Sequence, residues 1–110
     1  MARRTVNETI KRDNFLVDLL LQHKGKENAL PSKVISEILA KHDFRLNAMC
    51  IHQTINKIML ERRLPICSLN GKGYFWAKSK EDITECIKHL QSRVDSITEH
   101  IDHLKNFIIE

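Results

Sequence analysis

Side chains able to do covalent chemistry are few in this 110-residue chain, and they are poorly spaced for it. Cys50, Cys67 and Cys86 form an odd set with no C-x-x-C pair, so neither a disulfide framework nor a zinc knuckle is expected. His100 and His103 share a helical face, but two histidines on a polar surface do not make a metal site, and no metal or cofactor is expected. There is no G-x-S-x-G, no Gly-rich phosphate loop and no H-E-x-x-H, and Glu81-Asp82 is a helix start rather than an acid-base pair. The chain does not read as an enzyme. Its better-supplied chemistry is recognition. The amides of Gln53 and Asn56 are the groups that bond both N6 and N7 of adenine, Met49 can touch a thymine methyl, and His52 is a further base-reading candidate. Lys33, Arg45, Lys57, Arg62, Arg63 and Lys72 are candidate phosphate contacts, and Arg3 and Arg4 in a basic N-terminal arm are placed to enter a minor groove.

Those residues need elements to hold them. Val6, Ile10, Phe15, Leu16, Leu19 and Leu20 recur close to helical spacing and predict a first helix over residues 5–22. Ala29-Leu30-Pro31 is a minimal strand, and Ser32 is expected to cap a short second helix carrying Val34, Ile35, Ile38 and Leu39. Phe44 and Leu46 can plug the next corner, after which Asn47 caps a third helix running to about Arg62. Its buried stripe is predicted as Ala48, Ile51, Ile55, Ile58 and Met59, which turns Met49, Gln53, Asn56 and Leu60 outward with His52 and Lys57 on the flanks. Two helices joined by so short a turn read as helix-turn-helix.

Strand formers over residues 64–69 and 74–77 flank Asn70-Gly71-Lys72-Gly73, a sequence suited to a tight turn. Pro65 marks an edge or a strand start. A hairpin following the third helix without a linker is predicted to be a wing, with Lys72 at its tip. Of the aromatic run, one hairpin side is expected in the core, and Tyr74 and Trp76 are expected to pack locally.

The last segment opens on Ser79-Lys80-Glu81-Asp82, a capping-box-like start. From there Ile83, Ile87, Leu90, Val94, Ile97, Ile101, Leu104 and Ile108 alternate at four- and three-residue steps, an unbroken heptad seam. β-branched residues at every a position (Ile87, Val94, Ile101, Ile108) lean toward a two-stranded parallel pairing, while the isoleucines at d (Ile83, Ile97) pull toward trimers, so the number of strands stays open. The flanking positions supply no charge ladder, so antiparallel pairing and folding back onto the first helix stay open, as does a seam that covers the domain's own core over residues 80–94. The predicted organisation is a winged helix-turn-helix domain over residues 1–78 and a C-terminal dimerisation helix over residues 79–110.

"RRLPICSLNGKGYFWAKSKEDI" followed by "IKHLQSRVDSI" resembles small winged-helix proteins of bacteriophages and prophages, in which a "PI-C-S" strand, a glycine turn and a "GY-x-x-A" strand precede an acidic helix start. The resemblance covers roughly residues 30–97. It implies a DNA-binding module of phage or prophage type, acting in a bacterial host cell, without defined catalytic residues.

Composition is compatible with this. With 42% apolar and 29% charged residues the chain reads as an ordinary globular protein, with neither a membrane span nor a secretory signal, so a cytoplasmic location is expected. Lys and Arg against Asp and Glu count 6 to 4 over residues 1–31, 8 to 3 over 32–78 and 4 to 7 over 79–110. A basic centre suits a polyanion. The expected function is therefore sequence-specific binding of double-stranded DNA by a homodimer, as a transcription regulator or a replication or recombination accessory factor. The alternative is a winged-helix module that docks on a host protein, which exposed Met49 and Leu60 would favour.

Overall fold

The computed structural model describes residues 6–69 and 71–108. Four α-helices and one antiparallel hairpin run in the order α1 (Val6–Leu21), α2 (Ser32–Lys41), α3 (Ala48–Arg62), β1 (Ile66–Leu69), β2 (Gly73–Trp76) and α4 (Lys80–Lys105). The fold is a winged helix-turn-helix followed by a long C-terminal helix. No helix among the described residues is long and apolar enough to cross a membrane.

The main core forms because three helices present apolar side chains at three- and four-residue steps to one centre. Leu16 and Leu20 of α1, Ile35 and Leu39 of α2, and Ile51, Ile55 and Ile58 of α3 are all buried there. Met59 is only half-buried against this cluster and Ala48 is exposed, which narrows the stripe predicted for α3. Phe44 and Leu46 fill the corner between α2 and α3 as expected, with Phe44 against Phe15 at a ring separation of 5.5 Å. Asp43 makes the turn in the left-handed region at φ 65°, and Ser36 Oγ donates to the Leu46 carbonyl at 2.7 Å, fixing the start of α3 to α2.

The caps divide. Asn47 Oδ1 accepts from the Cys50 amide at 2.9 Å, and Ser79 Oγ accepts from the Asp82 amide at 3.3 Å, as their positions predict. Ser32 does not cap α2. It is the first helical residue, and Pro31 takes the cap position with no side-chain acceptor. Leu30 is held in a two-bond bridge with Tyr74, and the chain leaves extended structure after Pro31, one residue earlier than a serine cap would require.

The hairpin pairs Ile66 with Trp76, Cys67 with Phe75, Ser68 with Tyr74 and Leu69 with Gly73. It begins at Ile66 rather than Leu64, and Pro65 stands just before it, its carbonyl accepting from the Ala77 amide at 2.9 Å. Leu30 adds an antiparallel bridge on the outer edge of β2, the minimal strand expected from Ala29-Leu30-Pro31. That approach is so close that a Cβ on Gly73 would lie 2.2 Å from the Leu30 carbonyl oxygen, and φ at Gly73 is +104°. Glycine is obligatory there.

The two faces of the hairpin serve two clusters. Tyr74 and Trp76 pack against the main core, while Phe75 is buried with Cys67 and Cys86 under α4. In α4 the buried residues are Asp82 and Cys86. Asp82 Oδ2 accepts from the Lys78 amide at 3.0 Å, which satisfies the carboxylate at the helix start. The eight seam residues do not cover the domain: from Ile83 to Ile108 each is 40–77% exposed. From Gln91 onward every described residue of α4 is exposed.

Candidate nucleic-acid interface

α3 offers its outer face between the α2 turn and the hairpin. Met49, Gln53, Asn56 and Leu60 are all exposed there, with Met49 at 86% and Leu60 at 69%. The spacing reading placed all four correctly because Ile51, Ile55 and Ile58 fix the helix rotation. Gln53 and Asn56 spend neither their donors nor their acceptors on other described residues, so both edges of each amide are available to a ligand. Arg63 closes the helix in the left-handed conformation at φ 55°.

His52 behaves differently from its neighbours on the helix. It is exposed, but its Nδ1 lies 2.9 Å from the Tyr74 hydroxyl, which ties the second turn of α3 to β2. Burial holds the Tyr74 phenol above its ordinary pKa, so this group stays a neutral hydroxyl. Tyr74 is thus both a core residue and a polar group at the interface, a double role that alternation along the strand does not reveal.

The cations sort by what already holds them. Arg62 Nη1 donates to Asn14 Oδ1 at 2.9 Å, so it joins α3 to α1. Lys26 pairs with Glu85 at 3.1 Å. Lys78 pairs with Glu27, and that hydrogen bond lowers the Glu27 pKa and raises that of Lys78. These pairs sit on the side of η1, the short 3-10 turn Lys26–Asn28, and the start of α4. Lys33 near the start of α2, Lys57 on α3 and Lys72 on the wing turn are exposed and form no ion pair with another described residue. Arg45 is exposed in the turn before α3. Arg3 and Arg4 lie outside the described residues.

A cleft opens where α3, the wing and the start of α2 meet. Pro31, Ser32, His52, Ser68, Leu69, Gly71, Gly73 and Tyr74 line it, together with Arg93, which reaches it from α4. Among the described residues no carboxylate lines this cleft. Arg93 also borders a smaller recess with Asn56 and Met59 of α3, so α4 meets the outer face of α3 on its hairpin side. Spacing alone assigns Arg93 only to the flank of the heptad seam, and its position in the cleft becomes visible once the inner face of α4 is known.

Beneath the hairpin, burial together with the neighbouring Cys86 thiol pushes the Cys67 thiol up to about 12, so it is an inert packing group. Among the described residues no group of three or more His, Cys, Asp or Glu is arranged to hold a metal ion. Comparison with protein-family models, with curated proteins and with solved structures finds no match.

Proposed function

We propose that this chain is a sequence-specific double-stranded DNA-binding protein that acts as a homodimer, with α3 in the major groove, the wing on the backbone and α4 as the pairing helix. The carrying observation is the outer face of α3: two unspent amides, Gln53 and Asn56, beside Met49, with Lys57 on the flank and Lys72 on the wing turn. Amides reading adenine and cations seated on phosphates are the division of labour that specific duplex recognition needs. Homodimerisation is supported by the seven seam residues from Ile83 to Leu104 left exposed along about 32 Å of helix, at about 1.5 Å per residue; Ile108, the eighth expected, lies in a turn beyond the end of α4. A regulator or a replication or recombination accessory factor of phage type, working in the bacterial cytoplasm, is the biological role this reading suggests.

Selection from a random duplex library at near-physiological salt tests it. Enrichment of a palindrome or repeat is the expected result, since a two-fold dimer presents two recognition helices. A folded protein that enriches nothing would overturn sequence-specific binding. One observation favours a second reading, in which the wing domain docks on a host protein: Met49 and Leu60 are large, apolar and well exposed on the same face. That reading requires Met49→Ala and Leu60→Ala to abolish capture of a defined host partner.

A further inference from the structure

We infer that the cleft between α3, the wing and α4 seats one backbone phosphate of the duplex, with Arg93 and His52 as its donors, so that the pairing helix itself takes part in DNA contact. This rests on the DNA reading above and goes beyond it by giving α4 a second task.

Four features of the cleft carry the assignment. Arg93 is a fixed positive charge that forms no ion pair with any described residue, and a guanidinium is the side chain best shaped for bidentate contact with phosphate oxygens. Among the described residues the cleft holds no carboxylate to compete for it. In the tautomer in which the Tyr74 hydroxyl donates to His52 Nδ1, the ring proton sits on Nε2, which leaves one N–H for a second acceptor. The start of α2 also borders the cleft at Pro31 and Ser32, with no side chain capping its first-turn amides. That adds a favourable local field for an anion.

Position argues for a phosphodiester rather than a small metabolite. The cleft lies between the face of α3 that carries Gln53 and Asn56 and the turn that carries Lys72, where a strand passing from the groove to the wing must run. Its openness to solvent suits a polymer backbone.

The test is duplex affinity of the full chain over a series of salt concentrations, for wild type, Arg93→Gln and Arg93→Lys. Loss of one phosphate contact lowers the slope of log affinity against log salt by about 0.9. It should also weaken all duplex sequences alike, by roughly tenfold. The expected result is that drop in Arg93→Gln and a wild-type slope in Arg93→Lys, with the sedimentation of both variants unchanged. A wild-type slope in Arg93→Gln would overturn the assignment and leave the DNA reading standing. Equal loss in both variants would make the side chain a packing element and overturn it too. A parallel titration with inorganic phosphate follows the His52 ring protons. Saturation by phosphate alone, with no change of duplex slope in Arg93→Gln, would assign the cleft to a free anion and overturn the backbone contact. Failure of the wild type to bind any duplex would remove both readings together.

Discussion

On the proposed pairing, replacing Ile97 and Ile101 together by aspartate should convert the dimer to a monomer. In the single chain these side chains are 55% and 48% exposed, so roughly half of each waits to be covered. Burying a whole isoleucine side chain is worth about 1.5–3 kcal/mol, which makes the exposed half worth about 1 kcal/mol. Two positions in two chains give about 4 kcal/mol, or roughly a thousandfold in the dimer dissociation constant, before counting repulsion among four carboxylates at the seam. Helix content should fall with association. The stretch from Gln91 to Lys105 has no buried residue of its own, and a free helix of that length is marginal in water. Sedimentation equilibrium over a concentration series, with far-ultraviolet circular dichroism on the same samples, reads both effects. Glu99→Gln, on the far side of α4 from the seam, serves as the control. A wild type that sediments as a monomer with its full helix content would refute the reasoning, as would a double variant that sediments with the wild type.

Gln53→Ala or Asn56→Ala should lose discrimination at particular base pairs, costing about 1–3 kcal/mol at the matched base; equal affinities for every site in a competition assay would remove the base-reading role. Lys72→Ala should weaken all duplexes alike and lower the salt slope by about 0.9, and an unchanged slope would take the wing tip off the backbone. Gly73→Ala forces a Cβ to 2.2 Å from the Leu30 carbonyl oxygen, so the Leu30–Tyr74 bridge must open. A loss of about 1–3 kcal/mol in chemical denaturation is expected, and wild-type stability would show the approach to be slack. Cys67 gives a pH dependence. Its thiol is raised from about 9 to about 12 in the folded chain, so below pH 9 it is neutral in both states and contributes its full share of stability. As pH rises from 9 toward 12 the unfolded chain ionises first, and stability falls through that window. Cys67→Ala should show a shallower fall in denaturant titrations, and equal slopes would contradict the burial.

Much of this architecture is legible in sequence because it rests on periodicity. The rotation of α3 follows from Ile51, Ile55 and Ile58, and with it the outward placement of Met49, Gln53 and Asn56. Asn47 and Ser79 act through local geometry that the next three residues already define. What escapes a sequence reading depends on partners distant along the chain. Leu30 is fixed in a bridge by Tyr74, more than forty residues later, a pairing that no local pattern around Ser32 encodes. His52 sits at the correct angle on its helix, yet its attachment to the Tyr74 hydroxyl depends on the hairpin register. Arg62 carries charge suited to a phosphate but is bonded to Asn14 on α1, a pairing no local pattern encodes.

The two stripes of α4 show most clearly why one face was visible and another was not. The apolar seam runs through Ile83, Ile87, Leu90 and Val94. One residue earlier at each step lies a second stripe, Asp82, Cys86, His89 and Arg93, turned by about 100° around the helix. The second stripe meets the domain: Asp82 and Cys86 are buried, His89 is half-buried, and Arg93 reaches the cleft. Hydropathy hides it, because a buried aspartate satisfied by the Lys78 amide and a small thiol carry little apolar signal. The consequence is mechanical. Since the domain holds α4 by the polar stripe, each seam residue keeps 40–77% of its surface exposed, and on the proposed pairing a second copy covers it. Arg93 flanks the seam about 100° around the helix and points its side chain to the cleft, so Arg93→Gln should change salt dependence without changing association. Ile97→Asp with Ile101→Asp should break association while leaving the cleft intact, since Ile97 and Ile101 lie beyond the part of α4 that the domain holds.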